Sequence, residues 1–165
     1  MSLALALVLA VALERLVELV IARRHSQALL AEGGVEHGAW QVTAFILLHG
    51  AWLAALAAVA WQGAALQWTF VVLYGLLLVA RIWTMASLGR FWTVRVITLP
   101  AAPLVKRGPY RWLRHPNYLV VIGEVAILPL ALGTWRLALL FSILNLALVA
   151  ARIRVEDAAL APRRG

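Results

Sequence analysis

The 165-residue sequence contains no cysteine, which excludes disulfides, iron–sulfur ligation and thiolate metal sites and leaves the compartment open. Charge is scarce too. Asp, Glu, Lys and Arg make up 13% of the residues against 64% hydrophobic ones, far from the roughly half apolar, quarter charged balance of soluble domains. The balance reads as an all-α integral membrane protein. At about 20 apolar residues per crossing there is room for one domain over residues 1–165 with about five transmembrane helices, and no large soluble domain fits beside them. No internal repeat or low-complexity tract is visible beyond an Ala/Leu bias. The first eleven residues lack a basic start and continue into a longer apolar stretch, so they read as the beginning of a span rather than a cleaved signal.

Candidate spans lie at residues 2–22, 40–61, 66–87, 117–133 and 135–151. Residues 62–65 leave only a tight turn between the second and third spans, and Gly133-Thr134 does the same between the fourth and fifth, so both pairs are expected to be antiparallel hairpins. Two longer loops remain, at residues 23–39 and 89–116.

The net charge of +8 comes from 15 Lys and Arg against 7 Asp and Glu, and its placement argues for a bilayer partner and against nucleic acid. Arg23 and Arg24 follow the first span. Arg90, Arg95, Lys106, Arg107, Arg111 and Arg114 fill the second loop, and Arg152, Arg154, Arg163 and Arg164 follow the fifth span. Arg136 stands alone at the other end. Five spans with the first residue outside put these clusters on the cytoplasmic face, as the positive-inside bias requires. Trp40, Trp61, Trp68 and Trp135 fall near span ends and read as interface anchors.

The densest polar stretch is KRGPYRWLRHPNY at residues 106–118, directly before the fourth span. Pro116 suits the first turn of a helix because its missing N–H would be unpaired there anyway. The free amides of that turn and the helix dipole then form an anion site, reinforced by Arg114 and His115. The fifth span ends on the same side with RIRVEDAAL, so Glu156 and Asp157 are expected opposite. Anion-binding backbone on one wall and carboxylates on the other suit a zwitterionic amino-acid group, such as the methionine end of S-adenosylmethionine.

GPYRWLRHPNY, a helical hairpin and then VEDAAL resemble the isoprenylcysteine carboxyl methyltransferase family, whose pattern is G-P-Y, R-H-P-x-Y and a later acid pair, usually Glu-Glu. The likeness is to the short bacterial members and extends over nearly the whole chain, through ERLVELVIARRHSQALLAEGGVEHGAW, LHGAWLAALA, LGRFWTVRVITLP and PLVKRGPYRWLRHPNYLVVIGEVAILPL. Asp157 departs from the family by one methylene. The resemblance implies an S-adenosylmethionine-dependent methyltransferase in the bacterial inner membrane, with its cofactor pocket facing the cytoplasm and a lipophilic acceptor entering from the bilayer. It implies cofactor binding by Lys106, Gly108, Pro109, Tyr110, Arg114, His115, Pro116, Asn117, Tyr118, Glu156 and Asp157, with Arg114, His115 and Glu156 carrying catalysis and no metal. The short bacterial members look like O-methyltransferases of long-chain polyketides such as alkylpyrones and alkylresorcinols. A prenylcysteine carboxylate and a phospholipid amine are the alternative acceptors within the class.

Each role has a plain structural counterpart. Arg114 and His115 would sit equally well among anionic headgroups, Tyr110 and Tyr118 are ordinary interfacial residues, and Glu156 forms an (i, i+4) pair with Arg152 on a helix end. Charges inside the spans need partners, since each costs roughly 2.5 to 3.5 kcal/mol on insertion scales. Glu14 and Glu18 lie one turn apart, and Arg81 and Glu124 are placed to pair with each other or with Asn145. Glu124, two turns deeper than Asn117, is a candidate for acceptor binding with His49, Trp92 and Arg95, and His49 is otherwise expected to hydrogen-bond Glu14 or Glu18. The alternating FWTVRVI stretch reads as a short strand-like lid. Outside the class, a haem or quinone protein would want paired intramembrane histidines, and a transporter or assembly subunit would want polar lining across the full membrane.

Overall fold

The computed structural model describes residues 2–99 and 102–163, together with the backbone but not the side chain of Arg163. Arg164, one of the basic residues assigned above to the cytoplasmic face, lies outside the described residues. Among the described residues there are five α-helices: α1 (Leu3–Ala31), α2 (Trp40–Trp61), α3 (Trp68–Leu88), α4 (Pro116–Ala131) and α5 (Trp135–Leu160). Two short strands, β1 (Val35–His37) and β2 (Val96–Thr98), pair antiparallel with Glu36 opposite Ile97.

Among the described residues, α2, α5 and α3 with its following turn are long and apolar enough to cross a membrane. The other two α-helices miss that length and composition for physical reasons. In α1, Glu14, Arg15 and Glu18 interrupt the apolar run. Helix α4 has 16 residues, a length of about 24 Å, less than the roughly 30 Å of a hydrocarbon core. The outer faces carry the lipid-facing apolar residues, among them Leu13 and Leu16 on α1 and Val72, Leu76 and Val79 on α3. The packed interior at the end away from the polar loops is built from Val8, Trp52, Leu56, Tyr74, Leu128 and Phe141.

The 23–39 loop is shorter than its sequence indicates, because α1 continues nine residues beyond Ala22 before turning. Its remainder supplies β1, and β2 forms inside the FWTVRVI stretch expected to be extended. The two strands are tied at several points. His37 Nε2 and Thr98 Oγ1 are 2.9 Å apart, Arg95 pairs with Glu36 at 2.6 Å, and His25 Nδ1 donates to the Trp92 carbonyl at 2.8 Å. Arg90 donates to both carboxylate oxygens of Glu32 at 2.9 and 3.0 Å. These contacts hold the strand pair against the end of α1 and bring it beside the C-terminal end of α5.

Among the described residues, Glu14, Arg15, Glu18, Arg81 and Glu124 form one ion-pair cluster within the bundle, in which Glu14 Oε2, Arg15 Nε and Glu124 Oε1 have no hydrogen-bond partner. Arg81 pairs with Glu18 and reaches Glu124 at 2.9 Å, as expected of that pair. Arg15, not singled out in the sequence, joins Glu18 and Glu124, both at 2.9 Å, and touches the Tyr74 hydroxyl at 3.5 Å. The expected bond from His49 to Glu14 or Glu18 is not made. Its Nδ1 donates instead to the Phe45 carbonyl one turn back at 2.9 Å. Asn145 is fully buried, and its amide has no hydrogen-bond partner among the described residues.

Candidate functional site

The polar end of the bundle is assembled by three local features. Gly108 opens the 3₁₀ turn Gly108–Arg111 with φ +55°, a left-handed conformation natural to glycine. A Cβ there would come within 2.0 Å of Ser87 Oγ, so Gly108 lets this turn pack against the end of α3. Pro116 starts α4 at the first helical position, where the lost N–H matters least. Helix α5 runs straight through Arg152, Glu156 and Asp157, placing all three beside the start of α4.

His115, immediately before α4, stands between the two carboxylates. Its Nε2 is 3.0 Å from Asp157 Oδ1, and its Nδ1 is 3.6 Å from Glu156 Oε1, an ionic contact longer than a hydrogen bond. The Tyr118 hydroxyl donates to Glu156 and accepts from Arg152 Nε at 3.2 Å. Arg152 also donates to the Val94 carbonyl, linking α5 to the segment before β2. The His115 and Tyr118 rings stack with centroids 5.5 Å apart. The adjoining Glu156 carboxylate, and then Asp157, hold the His115 imidazole pKa above its usual 6.5 despite partial burial. Burial, assisted by the Glu156 charge, pushes the Tyr110 phenol well above its ordinary value, so it stays a neutral donor.

These groups open onto a cavity of about 500 Å³, within the range that holds a small-molecule ligand or cofactor. Of the candidate residues, Lys106, Tyr110, Arg114, His115, Asn117, Tyr118 and Glu156 line it, as do Trp92 and Arg95 from the strand side. Gly108, Pro109 and Pro116 are placed to shape the backbone around it and do not line it. Asp157 reaches it through His115. Glu124 and His49 lie deeper in the bundle, Glu124 within the arginine cluster, and neither lines this cavity.

Arg152 is the site residue that the sequence reading passed over. It is 5% exposed and lines the cavity, and one terminal guanidinium nitrogen, Nη1, is buried without a hydrogen-bond partner. Its spacing of one helical turn from Glu156 was visible in the sequence. That spacing pointed to a mutual pair, whereas the structure turns Arg152 toward Tyr118 and Val94. Asn117 Oδ1 is a second buried atom without a hydrogen-bond partner. Burying such groups unpaired costs about 1 to 3 kcal/mol each, so the wall of this cavity carries polar groups that its own neighbours do not satisfy. No group of three or more potential metal-ligating side chains occurs among the described residues.

Comparison with known proteins matches residues 68–162 to the Isoprenylcysteine carboxyl methyltransferase (ICMT) family, a stretch running from the start of α3 to beyond the acid pair. A Bacillus subtilis protein, the uncharacterized protein YpbQ, is 34% identical over 157 residues, covering 89% of this chain and 90% of the relative. An uncharacterized Haemophilus influenzae protein is 28% identical over 151 residues, with 88% of each chain covered. No solved structure matches the chain.

Proposed function

The chain belongs to the isoprenylcysteine carboxyl methyltransferase family, a family of membrane methyltransferases, and from that membership we propose that it transfers a methyl group from S-adenosylmethionine to an oxygen of a lipophilic acceptor. The acceptor class is a hydroxyl or enol of a membrane-soluble lipid or long-chain polyketide, as in the short bacterial branch. One observation carries the reading. The start of α4 and the end of α5 wall a single cavity, with His115, Asn117 and Tyr118 on one side and Arg152 and Glu156 on the other.

The residues fit the cofactor. The first-turn amides of α4, His115 and the nearby Arg114 suit its carboxylate. Glu156 and Asp157 suit its ammonium or ribose hydroxyls, and the neutral Tyr110 and Tyr118 rings close the walls. When bound, S-adenosylmethionine supplies an electrophilic sulfonium methyl group. The protein's part is to hold the acceptor oxygen within about 3 to 3.5 Å of that carbon and in line with it, and to keep water out. Arg152, on the cavity wall, is placed to orient the acceptor oxygen. A neutral hydroxyl or enol must also give up a proton. His115 and Glu156, both on the cavity wall, are the groups placed to take it. Trp92 and Arg95 on the strand side form the cover.

The basic clusters at this end support a cytoplasm-facing pocket in a bacterial inner membrane. The paired carboxylates also favour a second reading, in which a cationic headgroup amine is the acceptor. Calorimetric titration with S-adenosylmethionine and its demethylated product tests the cofactor, and absence of binding to both would sink the proposal. Radiolabelled methyl transfer to a total lipid extract, with mass spectrometry of the product, separates oxygen from nitrogen acceptors.

A further inference from the structure

A second groove, of about 470 Å³, adjoins the methyl-transfer cavity and shares Leu88, Phe91, Leu104 and Lys106 with its wall. Arg90 and Arg107 line this groove and not the cavity, so methyl transfer as argued above does not use them. The floor is apolar, from Leu88, Phe91 and Leu104, and the rim carries three cations, Arg90, Lys106 and Arg107.

The three are not equivalent. Arg90 is neutralised by the two-pronged bond to Glu32 and sits 5.1 Å over the Phe91 ring. Arg107 is fixed by its Nε, which donates to the Ser87 carbonyl at 2.7 Å, where a cation also complements the negative end of α3. That bond leaves its terminal nitrogens, Nη1 and Nη2, without a hydrogen-bond partner among the described residues. Lys106 is exposed and has none there either. The rim therefore offers two uncompensated positive charges, one on a pre-positioned fork suited to phosphate, above an apolar floor. On the same helix as Leu88, Val79, Ile82 and Trp83 are 65%, 66% and 48% exposed, a surface suited to hydrocarbon.

We infer that this groove seats the phosphodiester headgroup of an anionic phospholipid, with Lys106 and Arg107 on the phosphate and Leu88, Phe91 and Leu104 under the glycerol and upper acyl chain. Charge complementarity selects an anion, and the apolar floor selects an anion with a tail. Basic pockets at a membrane boundary collect such headgroups. The seated lipid would brace the wall that groove and cavity have in common. The inference stands independently of the methyl-transfer reading, because it concerns binding alone.

Native mass spectrometry of the full chain, released from nanodiscs of equimolar phosphatidylglycerol and phosphatidylcholine, tests it. The expected result is a retained phosphatidylglycerol adduct in preference to phosphatidylcholine. Lys106→Gln should lower that preference about fivefold, and Lys106→Gln with Arg107→Gln about 25-fold, since each cation near an anionic headgroup contributes about that factor. The single variant keeps the Arg107 bond to Ser87, so it reports on charge even if the double variant misfolds. Arg136→Gln, at the opposite end of the bundle, should keep the wild-type preference. Equal retention of both lipids by the wild type, an unchanged preference in Lys106→Gln, or an equal loss in Arg136→Gln would overturn the inference. Displacement of the adduct by millimolar inorganic phosphate would also overturn it, marking a free-anion site instead.

Discussion

Two groups of charged side chains in this bundle are built differently. The cluster of Glu14, Arg15, Glu18, Arg81 and Glu124 sits among the helices, with each arginine within 4 Å of all three glutamates. The group of His115, Tyr118, Arg152, Glu156 and Asp157 sits at a bundle end, wraps a 500 Å³ cavity and leaves Arg152 Nη1 without a hydrogen-bond partner. Similar residue types serve both. The difference is what lies beside the charges: packed helices close in the first cluster, whereas the second opens on a cavity. Mutual ion pairing is what a low-dielectric interior demands of structural charges, and polar side chains on a cavity wall are what a ligand requires.

The largest test of that contrast falls on the ion-pair cluster. Arg81→Ala leaves three carboxylates around Arg15 and should cost about 3 to 5 kcal/mol, read as a lowered thermal midpoint in detergent or as loss of monodisperse protein. Stability close to wild type would mean that the cluster does not lock the helices together. Next is Glu156→Gln, which removes a charge from the open group while keeping its shape. It should lower methyl transfer about 100-fold, the scale of losing one electrostatic or proton-transfer contribution, with little change in thermal midpoint. If this variant unfolds and Arg81→Ala does not, the two roles have been assigned the wrong way round.

A smaller, pH-dependent effect sharpens the role of His115. Its folded pKa is raised above the usual 6.5 by the carboxylates beside it. Its charged-state contribution is therefore complete below 6.5 and is lost as pH rises through the elevated value. Calorimetric affinity for S-adenosylmethionine should fall in that upward direction, and His115→Gln should flatten the profile. A profile identical in the variant would remove His115 from the carboxylate site. The smallest effect belongs to the half-exposed Arg95–Glu36 pair on the strands. Arg95→Ala should change stability by about 0.2 to 1 kcal/mol, while a larger loss in methyl transfer would mark the strand pair as a cover for the cavity.

Much of this organisation was legible in the sequence because the bilayer imposes simple rules. Apolar run lengths located α2, α3 and α5, Pro116 marked the start of α4, and the need of intramembrane charges for partners paired Arg81 with Glu124. The continuation of α1 to Ala31 was not legible, since a helix that leaves the apolar layer loses the hydrophobic signal while keeping its backbone bonds. Nor was β1, three residues long, which exists only because β2 pairs with it.

The chain's composition and motif spacing by themselves determined a helical membrane protein with its polar chemistry at one end, because apolar length and helix-terminus chemistry are local properties. Tertiary structure alone decided which arginine closes a structural cluster and which faces the cavity. Arg15, Arg81 and Arg152 are chemically identical, and each became what it is through the neighbours that packing left within reach of its guanidinium.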